Sequence, residues 1–136
     1  MNNVERAHRA WEGLNRQDFA AALELMHPDV EWRPALGPGG VEGRVYRGRD
    51  EYENWLRTEL LEVWEEFRAE NLDITELPGD RVLMLGELVV KGKASGVEIR
   101  TPFGQLAHLR DGLVIRLDAY PDHQSAIAAA AADEPA

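Results

Sequence analysis

From Val97 onward, apolar and polar side chains alternate in steps of two. Val97, Ile99, Thr101, Phe103, Gln105, Ala107 and Leu109 share one face, and Glu98, Arg100, Pro102, Gly104, Leu106, His108 and Arg110 share the other. That is the pattern of a half-buried strand. Asp111-Gly112 signals a turn, and a second run leads to Tyr120. A two-residue loop would set His108 against Ile115 and Ala107 against Arg116, mixing polar and apolar on each face. A three-residue loop, Arg110-Asp111-Gly112, pairs Leu109 with Leu113, Ala107 with Ile115, Gln105 with Leu117 and Phe103 with Ala119. Register follows the hydrophobic pattern, so the three-residue loop is expected. Gln105 then becomes the one strongly polar side chain on an apolar face, and His108, Arg116 and Asp118 turn to the opposite face.

Upstream, the period changes. Val4, Ala7, His8, Trp11 and Leu14 follow helical spacing, with Asn2 or Asn3 as cap. Asp18 caps a second helix with the stripe Phe19, Ala22, Leu23 and Met26, which Pro28 ends. Val30-Glu31-Trp32 reads as a short strand. Residues 34–43, PALGPGGVEG, read as a mobile Pro/Gly loop. Asp50 with Glu53 reads as a capping box opening the longest helix, whose stripe runs Tyr52, Trp55, Leu56, Leu60, Val63, Trp64, Phe67. Strands follow: one beginning near Leu72, a Pro78-Gly79 turn, then Arg81–Lys91, apolar on both faces except at Glu87 and so placed centrally. Helices first and strands last predict an α+β fold, with a curved antiparallel sheet packed on three helices and a short C-terminal helix. Residues 1–128 form the single domain, and 129–136 read as a frayed tail.

With 136 residues, 44% of them hydrophobic, the chain can bury a real core. Its net charge of -10 argues against nucleic acid and anionic membranes as partners. Without cysteine, thiol catalysis and disulfides are excluded, and no stretch reads as a signal peptide or membrane span. A cytoplasmic location is the expectation. The four histidines are scattered without metal-ligand spacing, and no cofactor is expected.

HPDVEW at 27–32, YRGRDEYENWL at 46–56, GDRVLMLGEL at 79–88 and LRDGLVIRLDAYPD at 109–122 resemble, in order and spacing, the SnoaL-like branch of the nuclear-transport-factor-2-like superfamily. The branch is related to ketosteroid isomerases and limonene epoxide hydrolases. The resemblance implies a cone with an apolar internal pocket and a homodimer formed through the outer sheet face. It does not carry the relatives' chemistry across. The isomerase base falls at Trp32, its tyrosine near Ala10 and its oxyanion aspartate at Gln105. The hydrolase set falls near Gly86, Leu88 and Ala119.

The expected ligand is therefore a small, mostly apolar, ring-bearing molecule, held by Trp32, Gln105, Trp11, Tyr46, Trp55, Phe103 and Leu117. Tryptophans can wall a flat slot, though Trp55 and Trp64 read first as core. Gln105 can donate to a carbonyl or accept from a hydroxyl, or simply bond a neighbouring backbone group or Tyr46. For catalysis of an isomerase, cyclase or hydrolase kind, Gln105 would polarise a carbonyl, and His8, if turned into the cone, or a bound water would move the proton. His108 and Asp118 form a base and its orienter only if the hairpin register is different. A third reading is a dimerisation module whose pocket is filled by its own tryptophans.

Overall fold

A computed structural model describes residues 1–34, 45–62 and 64–132, with the side chains of Leu60 and Leu61 left aside. The mobile loop expected over residues 34–43 lies outside the described residues apart from Pro34. The N-terminal helices form as the spacing predicts. Helix α1 (Asn3–Asn15) is capped by Asn2, whose side chain accepts from the Glu5 amide at 2.8 Å. Helix α2 (Phe19–Leu23) is capped by Asp18, which accepts from the Ala21 amide at 3.3 Å. It is one turn shorter than its stripe suggests. Met26 is buried at the start of a strand, β1 (Met26–Arg33), because the Leu25 carbonyl already accepts from the Val114 amide at 2.9 Å and draws the chain into the sheet.

Strand β2 (Tyr46–Arg47) leads into α3 (Gly48–Trp55), which continues as a π-helical turn over Leu56–Leu61. The expected capping box is absent. Instead the Glu51 carboxylate accepts from the Arg47 amide at 3.2 Å, and Arg47 caps with no side-chain bond. The third helix also stops before Trp64, which opens β3 (Trp64–Leu77). The misreading has a physical cause: the β3 register shifts between Trp64 and Glu66, so Trp64 and Phe67 share a face three residues apart. A β-bulge has imitated the helical period.

Strands β4 (Arg81–Gly92), β5 (Glu98–Arg110) and β6 (Leu113–Tyr120) complete a six-stranded sheet in the order β2-β1-β6-β5-β4-β3. It is antiparallel except where β1 runs parallel to β6, setting Trp32 beside Leu117. As expected, β4 has a strand on each side. Helix α4 (His123–Ala132) follows β6 and continues to Ala132, with Ala130 buried, past the point where the sequence suggests fraying.

The β5–β6 loop corrects the sequence reading. It has two residues: Arg110 pairs with Leu113 and Leu109 with Val114. Asp111 and Gly112 take φ of 53° and 81°, positive at both central positions as a type I′ turn requires. The register then slips at a bulge containing Ile115, so His108 meets Arg116, Ala107 meets Leu117 and Gln105 meets Ala119. The bulge restores the sorting of faces that a two-residue loop alone would destroy. Ala107 thus faces Leu117 rather than Ile115, yet Gln105 remains inward and His108, Arg116 and Asp118 outward.

The inner sheet face and helices α1–α3 enclose the core, with Trp11, Phe19, Met26, Trp32, Tyr52, Met84 and Phe103 among its buried members. Of the apolar outward residues of β4, Val89 is buried and Leu83 and Leu85 are half-buried. Helix α4 packs so closely that a Cβ on Gly104 would lie 2.4 Å from that of Ala126. Arg81, 3% exposed, donates to the Pro78 and Ala130 carbonyls at 2.9 Å each, tying α4 to the β3–β4 turn. Further along, Val89 is buried beside an ion-pair ladder in which Arg68 meets Glu70 at 2.5 Å and Glu98 at 3.2 Å, and Arg100 meets Glu70 at 2.9 Å. No helix among the described residues is long and apolar enough to cross a membrane.

Candidate functional site

Between the helices and the inner sheet face lies a cavity of about 200 Å³. Alternation along β5 aims Phe103 and Gln105 into it, β1 supplies Trp32, and one face of α3 supplies Tyr52 and Trp55. Trp11 reaches it from α1. The aromatic groups hold one another edge-on: Trp32 lies 5.0 Å from Trp55 and 5.5 Å from Tyr52, at interplanar angles of 68° and 65°. Trp11 stands 5.2 Å from Phe103 and donates its indole N–H to the Met84 sulfur at 3.4 Å. Such contacts fix the orientations of the rings around the cavity.

A smaller lobe of about 40 Å³ adjoins it, sharing Trp11, Leu14, Tyr52 and Gln105 as walls. Its other walls include Val82, Met84, Ala107, Leu109 and Leu117. Gln105 therefore stands where the two lobes meet. Among the described residues its amide makes no hydrogen bond, and the alternative bond to Tyr46 is absent. The Trp32 indole nitrogen is buried and likewise has no partner among the described residues. Burial pushes the Tyr52 phenol well above its ordinary pKa, so it stays neutral. Among the described residues lining the larger lobe there is no histidine, carboxylate, lysine or arginine.

The structure thus gathers Trp11, Trp32, Trp55, Phe103 and Gln105 around the larger lobe, and Leu117 around the smaller. It does not bring in the others. Tyr46 sits opposite Trp32 on β2, half-buried against the core, and lines neither lobe. His8 is exposed on α1 and cannot serve as a base inside, because its helix position turns it to solvent. Asp118 is buried on the outer face, where Arg116 holds it at 2.8 Å and Arg33 stands 3.7 Å away. His108 lies on the same face, opposite both Arg81 and Arg116. Glu31 pairs there with Arg33 at 3.2 Å and with Arg47, and the Arg33 hydrogen bond leads in holding its carboxyl below the usual range. Among the described residues no cluster of three or more histidines or carboxylates is arranged for a metal.

Sequence reasoning missed Tyr52, Leu88 and Tyr120, which also line the larger lobe. Tyr52 could have been found, since it precedes Trp55 by one helical turn. Tyr120 could not, because alternation along β6 assigns it outward and only the strand's end lets it reach the cavity.

The family model described as a SnoaL-like domain matches residues 5–117. No curated protein matches the chain. Among solved structures, TerC co-crystallized with polyporic acid is 26% identical, covering 93% of this chain and 95% of its own at a TM-score of 0.77. A candidate polyketide cyclase of Pseudomonas putida is 16% identical over 91% and 94% of the two chains, with a TM-score of 0.77. An NTF2-like protein of unknown function from Burkholderia pseudomallei is 23% identical over 94% and 96%, also at 0.77.

Proposed function

The chain belongs to the SnoaL-like family, and on that premise we propose that it binds a small, mostly apolar, ring-bearing molecule in the internal cavity. The observation that carries this reading is an aromatic-walled void with one unpartnered amide in its wall. At about 200 Å³ the void exceeds the roughly 150 Å³ apolar cavity that accepts benzene in an engineered protein. This volume supports an open pocket over one filled by its own tryptophans. A neutral ligand fits the larger lobe, because an ion there would lose its hydration and gain no counter-charge from the described residues that line it. TerC crystallised with polyporic acid adds weight to a ring-bearing ligand.

Titration with steroid, polyketide and terpenoid probes tests the reading through tryptophan emission, since three of the four tryptophans line the void. Saturable shifts are expected. Gln105→Leu is expected to weaken oxygen-bearing probes about fivefold, the worth of one hydrogen bond near 1 kcal/mol, with little effect on hydrocarbons. If no probe shifts emission, the site reading is wrong.

The names of the candidate polyketide cyclases favour a second reading, an enzyme of the cyclase, isomerase or hydrolase kind. Gln105 would then polarise a carbonyl, with a bound water moving the proton. Turnover of a bound probe that disappears in Gln105→Leu would move this reading ahead of simple binding.

A further inference from the structure

We infer that the smaller lobe is a length gauge, selecting ring compounds that carry a short, slim alkyl group beside one hydrogen-bonding oxygen. The inference rests on the ligand-site reading above and names the part of the ligand that lies beyond Gln105. Three observations carry it. The lobes share Gln105, so an oxygen bonded to that amide sits at their junction, with the ring on one side and any substituent on the other. The smaller lobe is walled there by Val82, Met84, Ala107, Leu109 and Leu117, side chains that leave water too few partners to remain. Its volume of about 40 Å³, set against the roughly 150 Å³ cavity that accepts the six carbons of benzene, suits one to two carbon-sized groups.

The polar end of this lobe is formed by Asn3 and Arg6. Arg6 donates to the Asn3 side-chain oxygen at 2.9 Å, and Asn3 donates to Glu76 at 3.3 Å, so each of these groups already has a partner within the chain. The gauge is set by side chains from two independent elements: Ala107 on β5, and Ala10 on α1. Both are small, and a larger residue at either position would occupy the space the alkyl group takes.

The test uses the full chain and a series of phenyl alkyl ketones from acetophenone to hexanophenone, with dissociation constants measured calorimetrically. Affinity is expected to rise about fourfold per added carbon, the worth of a buried methylene. It is expected to stop rising after about one to two alkyl carbons and then fall. Ala107→Leu and Ala10→Leu are each expected to shorten the optimum by about one carbon, so one variant suffices if the other does not fold. A steady rise through hexanophenone, or a cut-off unmoved in both variants, overturns the gauge and leaves the ligand site standing. If no ketone binds at all, the site reading falls and takes the gauge with it.

Discussion

At Gly104 and Arg81, single side chains decide where α4 lies. The hydrogen in place of a Cβ on Gly104 lets Ala126 come within reach of the strand, and Arg81 holds the helix's last turn by its Ala130 carbonyl. Arg81→Met keeps much of the apolar stem but leaves two carbonyls without their donor. A loss of roughly 2–3 kcal/mol is expected from urea unfolding, the cost of stranding partners of a buried charged donor. The same scale shows what a single residue can and cannot reveal in advance. Gln105 was legible because an amide stood alone in an apolar alternation. The partnerless state of the Trp32 indole was not, since it depends on what every neighbouring element does with its own polar groups.

At the scale of elements, two bulges explain both the failures and the successes of the pattern. In β3 a bulge stretched a strand's period to look helical, and the third helix was drawn too long. In β6 a bulge at Ile115 corrected the effect of a shorter turn, so the facing of Gln105 came out right although the loop length did not. A deletion pair separates these effects. Removing Ile115 takes out the extra residue and keeps Leu117 opposite Ala107, so probe binding is expected to survive. Removing Leu117 instead brings Asp118 opposite Ala107 and puts a carboxylate on the cavity wall, so binding is expected to be lost even where circular dichroism reports a folded sheet.

For the whole molecule, the outer sheet face is a surface of ion pairs and one docked helix. Its carboxyls answer to acid. The Asp122 carboxylate caps α4 by accepting from the Ser125 backbone amide at 2.7 Å, and that bond lowers its pKa from the ordinary 3.8. Arg68 leads in lowering Glu70 from 4.5, as Arg33 does for Glu31. A carboxyl depressed by folding contributes its full stability above its unfolded pKa and loses it as pH falls through the folded one. Urea midpoints are therefore expected to hold from neutrality to about pH 5 and to drop below about pH 4. Asp122→Asn keeps the cap but not the charge, and is expected to flatten that drop for α4.

The parallel pairing of β1 with β6 also has a consequence in time. The other sheet contacts from β3 to β6 join neighbours along the chain and can close as hairpins while synthesis proceeds. Trp32 gains Leu117 as its neighbour only after β6 has been made and has folded back on β5. Contacts so distant in sequence carry a large loop-closure cost and form late. Seating Trp32 against the sheet is thus expected to be the last step in building the cavity wall, and a chain truncated before Leu117 is expected to offer no place for a ligand.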